Sequence, residues 1–206
     1  DSIFALGDLL YRQATELESK SRLAGVDRPD SESRKNGLLL LEQSYAAFED
    51  AIRTLTEAVE RYSTAEQNKE TALQIIEARY HIAEAHRHSA KLPRKRQSSV
   101  TIETSRAALN RQMHEELQAA IDGYNSLITL LSDQPDNQRR PTEAAILRNC
   151  YFSRADAMFD RGQHVLRTAA LRRNGAHGIQ EAGWSRAGAG ARHRRGRRAR
   201  RSPPGG

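Results

Sequence analysis

From Leu38 to Tyr62 the apolar side chains fall at Leu38, Leu41, Tyr45, Phe48, Ile52, Leu55, Val59 and Tyr62. The steps alternate three and four, which draws one stripe along a helix and leaves Glu49, Asp50, Arg53, Glu57 and Glu60 off it. At ~1.5 Å rise per residue such a helix is roughly 37 Å long. It cannot bury its stripe alone, so it must pack against another helix. A second stripe runs through Leu109, Met113, Leu117, Ala120, Tyr124, Leu127 and Leu131. Helices of a different texture lie around and between these two: Ile3 to about Ala24, Glu70 to about Ala90, and Thr142 to about Arg161. The breaks are polar and contain proline or glycine: "GVDRPDSESRKNG" at 25–37, "KLPRKRQSS" at 91–99 and "SDQPDNQRRP" at 132–141. Thr142, after Pro141 and before Glu143, reads as an N-cap with an acid in the first turn. Glycine is rare before position 162 and no β-branched alternation is sustained. The pattern predicts an all-α protein of five helices followed by a tail.

Three of these helices share a short pattern, "FALGDLL" from Phe4, "YHIAEAH" from Tyr80 and "FSRADAM" from Phe152, spaced by 76 and 72 residues. Each has an aromatic, a small residue three positions on (Gly7, Ala83, Ala155) and then an acid (Asp8, Glu84, Asp156). The long helices repeat too: "FEDAIRTL" from Phe48 matches "LQAAIDGY" from Leu117 at an offset of 69. A repeated helix pair means stacked helical hairpins, each covering its neighbour's apolar face. An antiparallel helical bundle could use the same stripes.

In these residues the chain resembles the tetratricopeptide repeat (TPR) family. Its motif has a small first-helix residue where a second helix crosses closely, the place of Gly7, Ala83 and Ala155. In the second helix the motif has an aromatic, Ala, a large and a small residue, met by Phe48, Ala51, Leu55 and Ala58. The next unit offers Leu117, Ala120, Tyr124 and Leu127, losing the last small position. "FDRGQ" at 159–163 looks like the end of a third first-helix and its turn. The resemblance covers most of residues 1–163, with units about twice the usual ~34 residues. It implies an array of antiparallel helical hairpins, irregular and with long helices, whose third hairpin is incomplete. It also implies that first helices line a groove, with Phe4, Asp8, Tyr11 and Arg12 from the first unit, Tyr80, Glu84, Arg87 and His88 from the second, and Phe152, Asp156, Phe159 and Asp160 from the third. An aromatic column and an acid column there suit an extended peptide with basic and apolar side chains. The plainer reading has the acids solvated and the aromatics buried between neighbouring helices.

Catalytic constellations are not found. His81, His86 and His88 share one helix, but none of their spacings is the i, i+4 pair that a zinc site uses. His114-Glu115 opens like a metalloprotease motif whose second histidine is missing. Cys150 is the one cysteine, which excludes an intrachain disulfide and a thiolate cluster and reads as a small core residue. There is no phosphate-cradling loop and no nucleophile elbow. No enzyme activity, cofactor or metal is expected, and no apolar run approaches the ~20 residues of a membrane span.

Charge divides the chain. The 206 residues carry +7, but residues 1–163 hold 22 Lys/Arg against 25 Asp/Glu, a balance of −3. Residues 164–206 hold 11 arginines, no lysine and one acid, a balance of +10. Arg, Gly, Ala and Pro make up 29 of those last 43 residues, so this segment is expected to be disordered. It reads either as a cationic arm for nucleic acid or an acidic surface, or as a shifted reading frame, because GC-rich DNA out of register yields these residues. All-arginine basicity favours the shifted frame. The chain opens without methionine in what already reads as helix, as a processed form or fragment would. The function expected is a non-enzymatic scaffold for a protein or peptide. Its rival is nucleic-acid or acidic-surface binding through the arginine-rich tail. Residues 91–96 (Lys91, Arg94, Lys95, Arg96) are expected to be a solvated loop, lacking aromatics for base stacking. The compartment is not legible.

Overall fold

The computed structural model describes residues 2–28, 31–64, 68–135 and 138–162. Among them the only regular structure is helical: α1 (Ser2–Ala24), α2 (Ser31–Ser63), α3 (Lys69–Ser89), α4 (Lys91–Gln97), α5 (Glu103–Ser132) and α6 (141–162). Residues Asp1–Arg161 form one compact unit. The expected tail and the missing second helix of the third hairpin lie outside the described residues.

Local chemistry sets the helix ends. Gly25 takes φ +98°, a left-handed conformation that glycine adopts without a Cβ clash. Its N–H donates to Arg22 O, and the Val26 N–H to Ser21 O, closing α1 in a Schellman motif. Val26 then buries beside Leu41 and Leu92, so the turn that stops α1 also seeds a core. Asn68 caps α3, its Oδ1 accepting from the Thr71 N–H at 2.8 Å. The α5 end is closed by Arg139, whose guanidinium donates to the carbonyls of Leu131 and Gln134.

Three boundaries differ from the sequence reading. α2 begins at Ser31, seven residues before the stripe, because Glu32 suits its first turn and Gly37 lets the Val26 backbone lie against it. The segment 91–97 is helix rather than loop. Pro93 sits in its first turn, where the N–H has no intrahelical acceptor, and Leu92 and Pro93 are buried. α6 is capped at Arg140 rather than Thr142: the Ala144 N–H donates to Arg140 O, and Glu143 Oε2 reaches back to accept from the Arg140 N–H at 2.8 Å. Pro141 thus occupies the first helical position, which it favours.

Contacts along α1 and α2 run in opposite senses: Phe4 meets Tyr62, Ser44 donates to Ala14 O, and Ser21 donates to Gly37 O. α3 and α5 do the same, His86 meeting Glu116 and Ala83 lying against Gly123. The first helices α1 and α3 run parallel, Asp8 facing His81 and Glu18 facing His88. α1 and α5 make no close backbone approach, so these hairpins stack in an open array rather than closing into a bundle. The five positions equated by the 69-residue offset are nearly all buried: Phe48, Ala51, Leu55 and Ala58 in α2, and Leu117, Ala120, Ile121, Tyr124 and Leu127 in α5. Each large side chain so buried contributes roughly 1.5–3 kcal/mol. α3 is shared: Ile75, Ala78 and Ala85 pack back on the first hairpin, while Ile76 and Ala83, with the capping Ala90 just beyond the helix, pack forward on α5.

Candidate functional site

α1, α3 and α6 bring the twelve expected groove residues into three different environments. In α1, Phe4 is buried against Leu55, Ala58, Ile75 and Ala78 and pairs with the Tyr62 ring at 5.2 Å. Asp8 is partly open, its Oδ1 2.7 Å from His81 Nδ1 at an ion-pair distance without hydrogen-bond alignment, and its Oδ2 3.2 Å from Arg12. Tyr11 stacks on His81 with centroids 4.6 Å apart. Burial, reinforced by the charge of Glu84, holds its hydroxyl well above the ordinary tyrosine range. Arg12 is exposed.

In α3 the residues turn inward. Tyr80 packs half-buried against the second hairpin's core, and burial together with the Glu84 charge pushes its hydroxyl up to about 12. Glu84 is 5% exposed, which corrects its expected place on an open acid column. Its Oε1 accepts from Tyr124 Oη of α5 at 2.8 Å and from Ser153 Oγ of α6 at 2.5 Å. Its Oε2 accepts from Arg87 at 2.7 Å and lies 3.6 Å from His88 Nε2. Burial alone would raise this carboxyl. The neighbouring His88 imidazole, the Arg87 charge and the bond from Ser153 outweigh it and hold the group well below the carboxylate range.

The network continues outward. His88 stacks on Phe48, and its Nδ1 donates to Glu18 Oε2 at 2.5 Å, while Lys91 donates to Glu18 Oε1 at 2.6 Å. Burial opposes the ionised form of Glu18, but bonds from His88 and Lys91 bring its carboxyl from 4.5 to about 2. Beside it, His86 pairs with Glu116 at 2.8 Å, and Glu116 also accepts from Tyr45 of α2 at 3.3 Å. Each histidine of α3 therefore faces a carboxylate from another helix.

In α6 the residues face solvent. Phe152 and Phe159 are 67% and 65% exposed, Asp156 is exposed, and Asp160 pairs with Arg94 at 3.0 Å. Behind them Cys150 is fully buried, and burial with the Glu84 charge pushes its thiol up to about 12. A thiol so placed is not a thiolate nucleophile at neutral pH. The basic residues of α4 are matched one by one: Lys91 with Glu18, Arg94 with Asp160, Lys95 with Asp27 and Arg96 with Glu42.

Between α1 and α3 lies a cleft of about 160 Å³ lined by Phe4, Ala5, Asp8, Leu55, Gln74, Glu77 and Ala78. Its floor is apolar and its rim carries two acids, Asp8 and Glu77. The volume admits one long side chain and falls short of the ~300–1,000 Å³ of sites for drug-sized ligands. Among the described residues no three His, Cys, Asp or Glu side chains converge as a metal-ion ligand set, and no helix is long and apolar enough to cross a membrane. Sequence reading missed Gln74, Glu77, Glu18 and Glu116, which share no repeated motif. Tyr124 carried a signal: it stands where the first unit has Leu55, a hydroxyl at a core position. In comparisons with known proteins, no family model, no curated protein and no solved structure matches the chain.

Proposed function

We propose that this chain is a non-enzymatic interaction scaffold that takes an extended peptide, with alternating basic and apolar side chains, along α1 and α3. The observation that carries this reading is the α1–α3 cleft, whose apolar floor of Phe4, Leu55 and Ala78 lies beneath the acids Asp8 and Glu77. A Lys or Arg side chain lays its aliphatic stem on such a floor and leaves its charge at the rim. Exposed Arg12 and stacked Tyr11 extend the same side of α1. The rival, nucleic-acid or acidic-surface binding through the arginine-rich tail, rests on residues outside the described ones, and α4 adds nothing to it, because each of its four basic residues faces a carboxylate.

Fluorescence anisotropy on the full chain tests the reading, with a labelled peptide of alternating Arg and Leu and an oligonucleotide as the second probe. The peptide binds, and Asp8→Asn combined with Glu77→Gln weakens it at least tenfold while leaving oligonucleotide affinity unchanged. Equal peptide affinity for the variant removes the cleft from the function. Oligonucleotide binding that falls on Arg94→Ala and Lys95→Ala moves the function to α4.

A further inference from the structure

α6 has two apolar faces. One, with Ile146, Cys150 and Ala157, is buried in the core of the second hairpin. The opposite one carries Tyr151, Phe152, Ala155, Met158 and Phe159, all exposed. A helix apolar on both sides is one that buries both, and contiguous exposed apolar surface of this kind marks an interaction site. The 72-residue offset equates Phe152 and Ala155 of this outer face with Tyr80 and Ala83 of α3, which pack forward on α5. There Ala83 is small enough for Gly123 to lie against it. Ala155 is its counterpart, so the outer face of α6 has the form of a helix-packing face.

The charges on that face identify the occupant. Arg148, Phe152 and Asp156 stand four residues apart and make one ridge, with Tyr151, Ala155 and Phe159 as the next. Arg148 and Asp156 are exposed and make no ion pair among the described residues. We propose that two copies of this chain associate through α6, antiparallel, about a twofold axis near Phe152. In that register Arg148 of each copy meets Asp156 of the other, twice over, and each Phe152 enters the groove beside the small Ala155. A parallel pairing would set Arg148 on Arg148 and Asp156 on Asp156, so the charges select the antiparallel one. An isologous interface needs this self-complementarity, residue i meeting j and j meeting i. The interface lies away from the α1–α3 cleft, and the peptide reading does not depend on it.

Sedimentation equilibrium on the full chain, with Arg148→Asp, Asp156→Arg and the double exchange, decides the matter. Both positions are exposed, and circular dichroism checks that each variant stays folded. The wild type is a dimer whose dissociation constant rises at least tenfold in either single variant, where like charges meet, and returns to within threefold in the double variant. Phe152→Asp gives a monomer. A wild type monomeric at 100 µM overturns the proposal, including the case in which residues 163–206 of the same copy cover Phe152. A dimer indifferent to these substitutions, or one that the double exchange fails to restore, overturns it as well.

Discussion

The Tyr124 hydroxyl donates to Glu84 Oε1 at 2.8 Å with both side chains buried, joining α5 to α3 at the centre of the second hairpin. Ser153 brings α6 to the same oxygen, Arg87 and His88 hold the other, and His88 passes the network to Glu18 of α1. One carboxylate thus sets the relative positions of the first helices, which form the walls of the α1–α3 cleft. A buried charge is tolerable only when paired and fully hydrogen-bonded. That requirement makes the hub a constraint on geometry more than a source of stability.

Removing the charge leaves Arg87 partly buried without its partner. Glu84→Gln is expected to cost about 3 kcal/mol or more, whereas Tyr124→Phe, which removes one neutral donor, costs about 1 kcal/mol. Urea denaturation of both variants checks the order. Equal losses would mean that the hub acts through packing and not through charge.

Acid should unfold the protein through the same groups. Glu18 falls from 4.5 to about 2 in the folded chain, and Glu84 is lowered as well. Groups depressed on folding contribute stability that is complete above the unfolded value and is lost as pH falls through the folded one. The stability curve is therefore expected to be level in these groups above about pH 5 and to drop between about 4.5 and 2. Glu18→Gln lowers the plateau and flattens that drop. A variant curve parallel to the wild type across the acid range would contradict the assignment.

The stripe of α2 and its 69-residue echo in α5 were legible because burial recurs every three or four residues, and those positions are the ones the structure buries. The start of α2 and the whole of α4 were not, since proline, glycine and charge clusters look like loop wherever tertiary contacts outweigh local preference. Pro93 is harmless in a first turn, and Gly37 makes room for a neighbouring backbone. The candidate site was legible only in part. The repeat equated Phe4, Tyr80 and Phe152, but each first helix has different neighbours, so the same position is core in α1, half-buried in α3 and open in α6. Charge told least: Lys91, Arg94, Lys95 and Arg96 read as a basic patch, and each meets an acid distant in sequence.

That matching gives a prediction about what holds α4. Leu92 is buried with Val26 and Leu41, while the Lys95–Asp27 pair is largely solvent-exposed. Leu92→Ala is expected to cost about 2–5 kcal/mol and Lys95→Ala at most about 1 kcal/mol. Thermal melts in 0.05 and 0.5 M salt separate the two effects, because only the ion pairs weaken with salt. A larger loss from Lys95→Ala would reverse the assignment.

The close approach of α3 and α5 can be tested by exchanging two small residues. A Cβ on Gly123 would stand 2.9 Å from Ala83 Cβ, a rigid neighbour, so one helix must shift. Gly123→Ala gains roughly 1 kcal/mol of helix propensity but loses about 1–3 kcal/mol to overpacking. Ala83→Gly loses roughly 1 kcal/mol of propensity while opening the space. The single variants are each expected to be less stable than wild type. The double exchange moves the methyl from one helix to the other and should lie within about 1 kcal/mol of wild type, since coupling between touching residues runs about 0.5–3 kcal/mol. Chemical denaturation of the four proteins closes the cycle. Strict additivity would show that Ala83 and Gly123 do not set the helix spacing.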